Sequence, residues 1–203
     1  MARPTSIDNE TILDAARALF LDKGWTASTA AIAKAAGVSE GTLFKRFGTK
    51  FRLFQAAMGM KDVDVELSFG SLVGQNSIRE NLETIGERLV AFFRDLLPRM
   101  QRVCGHPGFD PAEFMRSEED PPPLRAIRNL SHYIGAEIKL GRLRPCDSEV
   151  IARVLLGSVH AYVFHEQVGL NEKLPLAAPT YIRGLVDALL NGIKPAGPEP
   201  QGK

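Results

Sequence analysis

The chain has 203 residues, 44% hydrophobic and 24% charged, with a net charge of +1 and two cysteines. That balance allows a sizeable buried core. It excludes a disordered polyelectrolyte, a disulfide scaffold, and a protein drawn to nucleic acid or membrane by overall charge.

No apolar run reaches the length of a membrane span, and MARPTSIDNE contains no apolar signal region. No membrane partner is therefore expected. The expected location is cytoplasmic, with Cys104 and Cys146 reduced; an inert buried thiol is the commoner case for such residues.

Apolar residues recur at helical spacing along almost the whole chain, and no alternating strand pattern stands out. The expected fold class is all-α, with about nine helices. Ile12, Ala15, Ala16, Leu19 and Phe20 make the first stripe, with Asp8 and Glu10 at its start and Lys23 and Gly24 at its end. Trp25 follows as an anchor where the chain turns.

The next stretch, TAAIAKAAGVSEGTLFKRFGTK from Thr29 to Lys50, predicts two short helices joined at a glycine. Thr29 is a suitable N-cap for the first, and the alanines keep that helix slim enough for close crossing. Gly37 suits a turn that needs positive φ, Val38 points back into the core, and Ser39 caps the second helix. Leu43 and Phe47, one turn apart, would hold that helix to its domain. This is a helix-turn-helix pattern.

Charge sharpens the reading. From Lys23 to Arg52 there are six cations and a single anion, Glu40, a local charge of +5 in a chain whose total is +1. Gly41 permits close backbone approach to a duplex, Thr42 suits a base edge, and Lys45 or Arg46 suits guanine or phosphate. Thr49 predicts the N-cap of a following helix, which puts Lys50 in a first turn that the helix dipole disfavours for a cation. A phosphate oxygen at that terminus would resolve the conflict.

Phe51, Phe54 and Met58 open a further helix expected to run into the middle sixties. Ile78, Leu82, Ile85, Leu89, Phe92, Phe93 and Leu96 form the strongest stripe, expected to end at or just after Pro98. CGHPGFDP and EEDPPP are breaks. Leu124 to Ile138 restarts a helix that Gly141 ends; Val150 to Val168 and Tyr181 to Ile193 make two more.

The series T-x-x-I-A-x-x-A-G-V-S-x-G-T-L-F-x-x-F-x-x-K, from Thr29 to Lys50, resembles the DNA-binding signature of the tetracycline-repressor (TetR) family of bacterial regulators. ILDAARALFLDKGW before it resembles that family's first helix. The motif similarity covers about the first 55 to 60 residues, and similarity beyond them is architectural.

The resemblance implies an N-terminal three-helix DNA-binding domain over residues 1–52. A larger helical ligand-binding and dimerisation domain would follow over 53–194, and a disordered tail over 195–203. It implies a homodimer on a palindromic double-stranded operator, with a small-molecule effector moving the two reading heads apart. Thr29 and Lys50 become expected phosphate contacts; Ser39, Gly41, Thr42 and Lys45 face the groove. The family commonly has tyrosine where this chain has Phe44, so Phe44 packs on the sugar-phosphate backbone at most, and Lys45 or Arg46 would replace the missing contact.

For dimerisation, Gly157, Ser158 and Ala161 permit close helix approach beside Val154, and Leu185 and Leu189 supply an apolar stripe on the last helix. Met58, Phe92, Phe93, Phe109, Phe114 and Met115 are candidate walls of a largely apolar pocket, although such residues are more often ordinary core. No cofactor or metal is expected. The leading reading is a ligand-responsive repressor; an activator or a ligand-independent DNA binder is the alternative. An enzyme fused to a DNA-binding domain lacks support, since Walker-type, H-E-x-x-H and glycine-fingerprint motifs are all missing.

Overall fold

The computed structural model describes residues 8–59, 63–105, 110–116 and 119–192. Among them there are eleven α-helices and no strand: α1 (Asn9–Lys23), α2 (Thr29–Ala35), α3 (Glu40–Phe47), α4 (Lys50–Ala57), α5 (Val63–Glu66), α6 (Ile78–Cys104), α7 (Pro111–Arg116), α8 (Pro122–Lys139), α9 (Ser148–Gln167), α10 (Leu170–Lys173) and α11 (Ala178–Asn191). Three of these, α5, α7 and α10, have only four to six residues. Pieces that short carry no readable stripe, and the eight longer helices are close to the expected number of about nine. The tail over 195–203 lies outside the described residues.

Two compact units form, one from Met1–Glu66 with Arg94–Arg125, the other from Leu67–Phe93 with Ala126–Lys203. In the first, α1 packs on α2 and α4, and α3 packs on both α2 and α4. Ile12, Ala16, Phe20, Trp25, Ile32, Leu43, Phe51, Leu53, Phe54, Ala57 and Met58 share one core. Because α4 supplies so much of it, this core runs past the boundary expected at residue 52.

Aromatic edges organise the centre. Phe54 meets Phe20 at 5.1 Å and Trp25 at 5.6 Å, both edge to face, the arrangement that the ring quadrupole favours.

The first unit corrects two expected helix ends. α4 stops at Ala57, well short of the middle sixties. Its last carbonyls are taken by arginines: Arg17 Nε donates to Ala57 O at 2.7 Å, and Arg99 donates to Met58 O at 2.9 Å and Gly59 O at 2.7 Å. Guanidinium groups satisfy both the orphan acceptors and the negative end of the helix dipole. Helix α6 runs through Pro98 to Cys104 instead of ending there. Beside the missing N–H, Arg99 donates to the Asp95 carbonyl at 3.3 Å and to its carboxylate at 2.6 Å.

In the second unit, Leu82, Ile85, Leu89, Leu130, Ile134, Leu155, Val159, Val163, Ile182 and Val186 are buried. α6 and α11 approach closely at Gly86, where an added Cβ would lie 2.8 Å from Ile182 Cγ2. Tyr162 and Tyr181 stack at 4.6 Å, and each hydroxyl donates to a carbonyl, of Leu176 at 2.7 Å and Ser158 at 2.9 Å. The Tyr181 bond joins α11 to α9.

A buried polar group had no signal in the sequence. Glu137 accepts from the Gly74 amide at 3.1 Å and pairs with Arg142 Nε at 3.3 Å, while Asn81 donates to Leu72 O and Gln75 O. Together they fix the connection that precedes α6. Burial beside this group pushes the Tyr133 hydroxyl up to about 12, so it stays protonated throughout the physiological range.

Candidate nucleic-acid interface

Helices α2 and α3 form the helix-turn-helix, and its turn is a Schellman motif. Gly37 sits at φ +68, the Val38 amide donates to Ala33 O at 3.0 Å, and Val38 packs against the core. Ser28, not Thr29, caps α2: its hydroxyl accepts from the Ala31 amide at 3.2 Å. A cap must itself be non-helical, and Thr29 is already in the first turn. Its freed hydroxyl donates to the Glu40 carboxylate at the start of α3.

Ser39 caps α3 as expected, accepting from the Thr42 amide at 3.1 Å, and its Oγ lies 2.8 Å from Thr42 Oγ1. Leu43 is fully buried and Phe47 half-buried against the same core, so one face of α3 is pinned to the unit. The opposite face is open. Gly41, Phe44, Lys45 and Arg46 are exposed, with Phe44 at 38%, and Thr42 is half-buried.

Arg46, although exposed, reaches back to α1. One of its nitrogens donates to Asn9 Oδ1 at 3.2 Å, and its charge helps Thr11 hydrogen bonds hold the Asp8 carboxyl below its usual value.

Lys50 requires the largest revision. Thr49 caps α4, as the spacing predicts, by accepting from the Arg52 amide at 3.1 Å. The Lys50 ammonium, however, donates to the Trp25 carbonyl and lies 4.5 Å from the centre of the indole ring. A carbonyl and a π-face therefore offset the unfavourable helix dipole from within the protein, so the conflict no longer requires a phosphate.

Burial pulls the Lys50 pKa down, partly countered by the Glu113 carboxylate. The sign follows: desolvation penalises the charged form, so that cost is present below the folded pKa and relieved above it. Lys50→Ala is expected to lower stability by about 1 kcal/mol, whereas Lys50→Met, which keeps an apolar stem over the ring, should lose less. Chemical denaturation checks this; equal stability of all three proteins would remove the indole contact from the account.

The described pocket candidates are divided between the two units. Phe92 and Phe93 meet at 5.5 Å in the second unit, but Met58 belongs to the core of the first, and Met115 is exposed on α7. Met58 does line an open cleft of 460 Å³, whose wall mixes Leu21 and Pro98 with Arg17, Arg94, Asp95 and Arg99. Phe109 and the side chain of Phe114 lie outside the described residues. Cys104 is exposed and Cys146 half-buried, both unbridged, so neither is the buried thiol expected.

The dimer candidates separate by face. Ser158 is half-buried and its carbonyl receives Tyr181, so it is engaged within the protomer. Val154 and Gly157 are exposed; Ala161, Leu185 and Leu189 are half-buried. Sequence reasoning missed Val150, Phe164 and Val168, exposed at 52%, 43% and 56%, which extend the row along α9. With Val154, Gly157 and Ala161 they recur in alternating steps of four and three residues, a spacing that was available as a signal.

Residues 12–57 match the family described as bacterial regulatory proteins, tetR family. Solved structures share the fold over nearly the whole chain. The flavonoid-responsive regulator FrrA matches with a TM-score of 0.68 and 23% identity, over 93% of this chain and 97% of that one. The transcriptional regulator FadR from Bacillus subtilis, solved with stearoyl-CoA, matches at 0.57 and 16%, over 92% and 100%. The TetR-family regulator PfmR from Thermus thermophilus matches at 0.51 and 20%, over 93% and 100%. With a capped helix-turn-helix inside the matched stretch and an all-helical chain behind it, residues 12–57 form a DNA-binding region of the tetR family of bacterial regulatory proteins.

Proposed function

We propose that the protein is a homodimeric repressor that binds a palindromic operator and leaves it when a small, largely apolar molecule binds. The observation that carries the dimer is the surface of α9. Ala152, Leu155, Leu156, Val159 and Val163 bury one side, while Val150, Val154, Gly157, Ala161, Phe164 and Val168 form a second apolar row at heptad spacing. A helix with apolar rows on two opposite sides needs cover on both, and a second copy of α9 supplies the missing cover. Leu170, Leu174 and Leu176 extend the exposed apolar surface beyond its end.

For the effector, support comes from the regulators solved with stearoyl-CoA or described as flavonoid-responsive, and from the Phe92–Phe93 pair in the second unit. Release from the operator by long-chain acyl thioesters or flavonoids is the direct assay.

The primary test selects bound fragments from random DNA at near-physiological salt. An inverted repeat with half-sites about one helical turn apart is expected. Sequence-blind, salt-sensitive retention would remove the specific-repressor reading. On the selected operator, Thr42→Ala should cost about 1–3 kcal/mol at one or two positions, since that side chain offers its methyl to a base edge while its hydroxyl is shared with Ser39. Uniform weakening over every sequence would instead make Thr42 a backbone contact. The salt slope of Lys50→Met separates the two roles of that lysine: a fall of about one places its remaining ammonium protons on a phosphate, and an unchanged slope leaves it structural.

A further inference from the structure

We propose that Glu40 is a specificity-determining residue that accepts a hydrogen bond from the exocyclic amino group of a cytosine in each operator half-site. The proposal rests on the reading of this chain as a sequence-specific regulator and names which side chain reads one of its bases.

Glu40 is the only anion between Lys23 and Arg52, in a stretch that carries six cations. It is the first residue of α3 and is exposed. A carboxylate on a surface that approaches phosphates opposes binding unless a donor meets it. The helix dipole tolerates an anion there but does not account for its further restraint. That restraint is the Thr29 hydroxyl, which donates to Glu40 Oε1 across the two helices of the motif. One carboxylate oxygen is thereby held, and the other is left to accept.

The neighbouring groups leave this position to Glu40. Ser39 Oγ and Thr42 Oγ1 are hydrogen-bonded to each other at 2.8 Å, and Ser39 also receives the Thr42 amide. Gly41 brings no side chain. Residues at the start of a recognition helix are those that reach base edges, and the polar group presented there is the Glu40 carboxylate.

An ionised carboxylate only accepts. In the major groove, amino donors are cytosine N4 and adenine N6, and adenine places the N7 acceptor beside its amino group, where it repels a carboxylate. Cytosine is the base that fits. The same geometry revises Thr29, whose single hydroxyl proton is directed at Glu40 and not outward to a phosphate.

The test compares wild-type protein with Glu40→Gln, Glu40→Ala and Thr29→Val, all full-length, in selection from randomised half-sites, with thermal unfolding to confirm that each folds. Wild type should enrich a motif in which replacing one cytosine per half-site costs about tenfold in affinity. Glu40→Gln should move the preference at that position to adenine, because an amide matches the N6/N7 pair. Glu40→Ala should flatten that position alone, and Thr29→Val should weaken the same preference.

A motif for Glu40→Ala identical to that of wild type, cytosine included, would overturn the proposal while leaving sequence-specific regulation intact. So would a uniform rise in affinity with an unchanged motif, which would reduce Glu40 to phosphate repulsion. If wild type enriched no motif, the proposal would fall together with the regulator reading, and that result is distinct from the other two.

Discussion

Trp25→Ala should destabilise the N-terminal unit by about 3–5 kcal/mol and abolish operator binding under conditions where wild type is saturated. The side chain is 2% exposed and meets Phe20, Phe51 and Phe54, so truncation removes transfer energy and leaves a cavity bounded by three rings. It also removes the surface under the Lys50 ammonium. A loss of this size is comparable with the whole stability of many small domains. Trp25→Phe should cost much less, because a ring still fills most of the volume.

Trp25 is the sole tryptophan, so wild-type fluorescence follows this unit selectively. The variant needs amide exchange instead, read over residues 8–59. Protection retained in α2 and α3 of Trp25→Ala would show that the core tolerates the cavity, and the expectation would fail.

Gly157→Leu should convert the proposed dimer to monomer and weaken operator binding by about a hundredfold or more. An added Cβ at Gly157 meets nothing within 4 Å in the protomer, so the substitution leaves the fold of a single copy undisturbed. Its effect is confined to whatever covers α9 from outside. Two linked reading heads gain roughly 10²–10⁴ in apparent affinity over one, and that gain disappears with the dimer.

Sedimentation over a concentration series reads the first outcome and titration of an intact against a half operator reads the second. Phe164→Glu, at the exposed end of the same row, serves as an independent variant. If both remained dimeric, the interface would lie elsewhere, and Leu174, exposed at 74%, would be the next residue to test.

The helix-turn-helix was legible because its signals are local. A cap needs a hydroxyl at one position, a Schellman turn needs positive φ one residue after the helix, and a pinned helix needs apolar residues a turn apart. Ser39, Gly37, Leu43 and Phe47 meet these conditions within a few residues of one another, and each sits in the structure as the pattern predicts. The cap of α2 was displaced by one residue because Ser28 and Thr29 are chemically equivalent there, and only backbone geometry chooses between them.

What the sequence determined by itself was therefore the fold class, the two-helix DNA-reading element and the family. The first rests on apolar periodicity along almost the whole chain, the second on caps and spacing within one segment, and the third on the resemblance that this segment carries. What only the tertiary structure decided was how polar and charged groups are used. Lys50 lies over Trp25, twenty-five residues away; Arg99 caps a helix that ends some forty residues earlier; and Glu137 takes the Gly74 amide across sixty-three. A charge in a sequence carries no direction, and its partner is whichever acceptor folding brings within about 3 Å after apolar burial has set the helices in place. The same holds for α9, whose second apolar row is visible as spacing but becomes a surface only once the first row is buried.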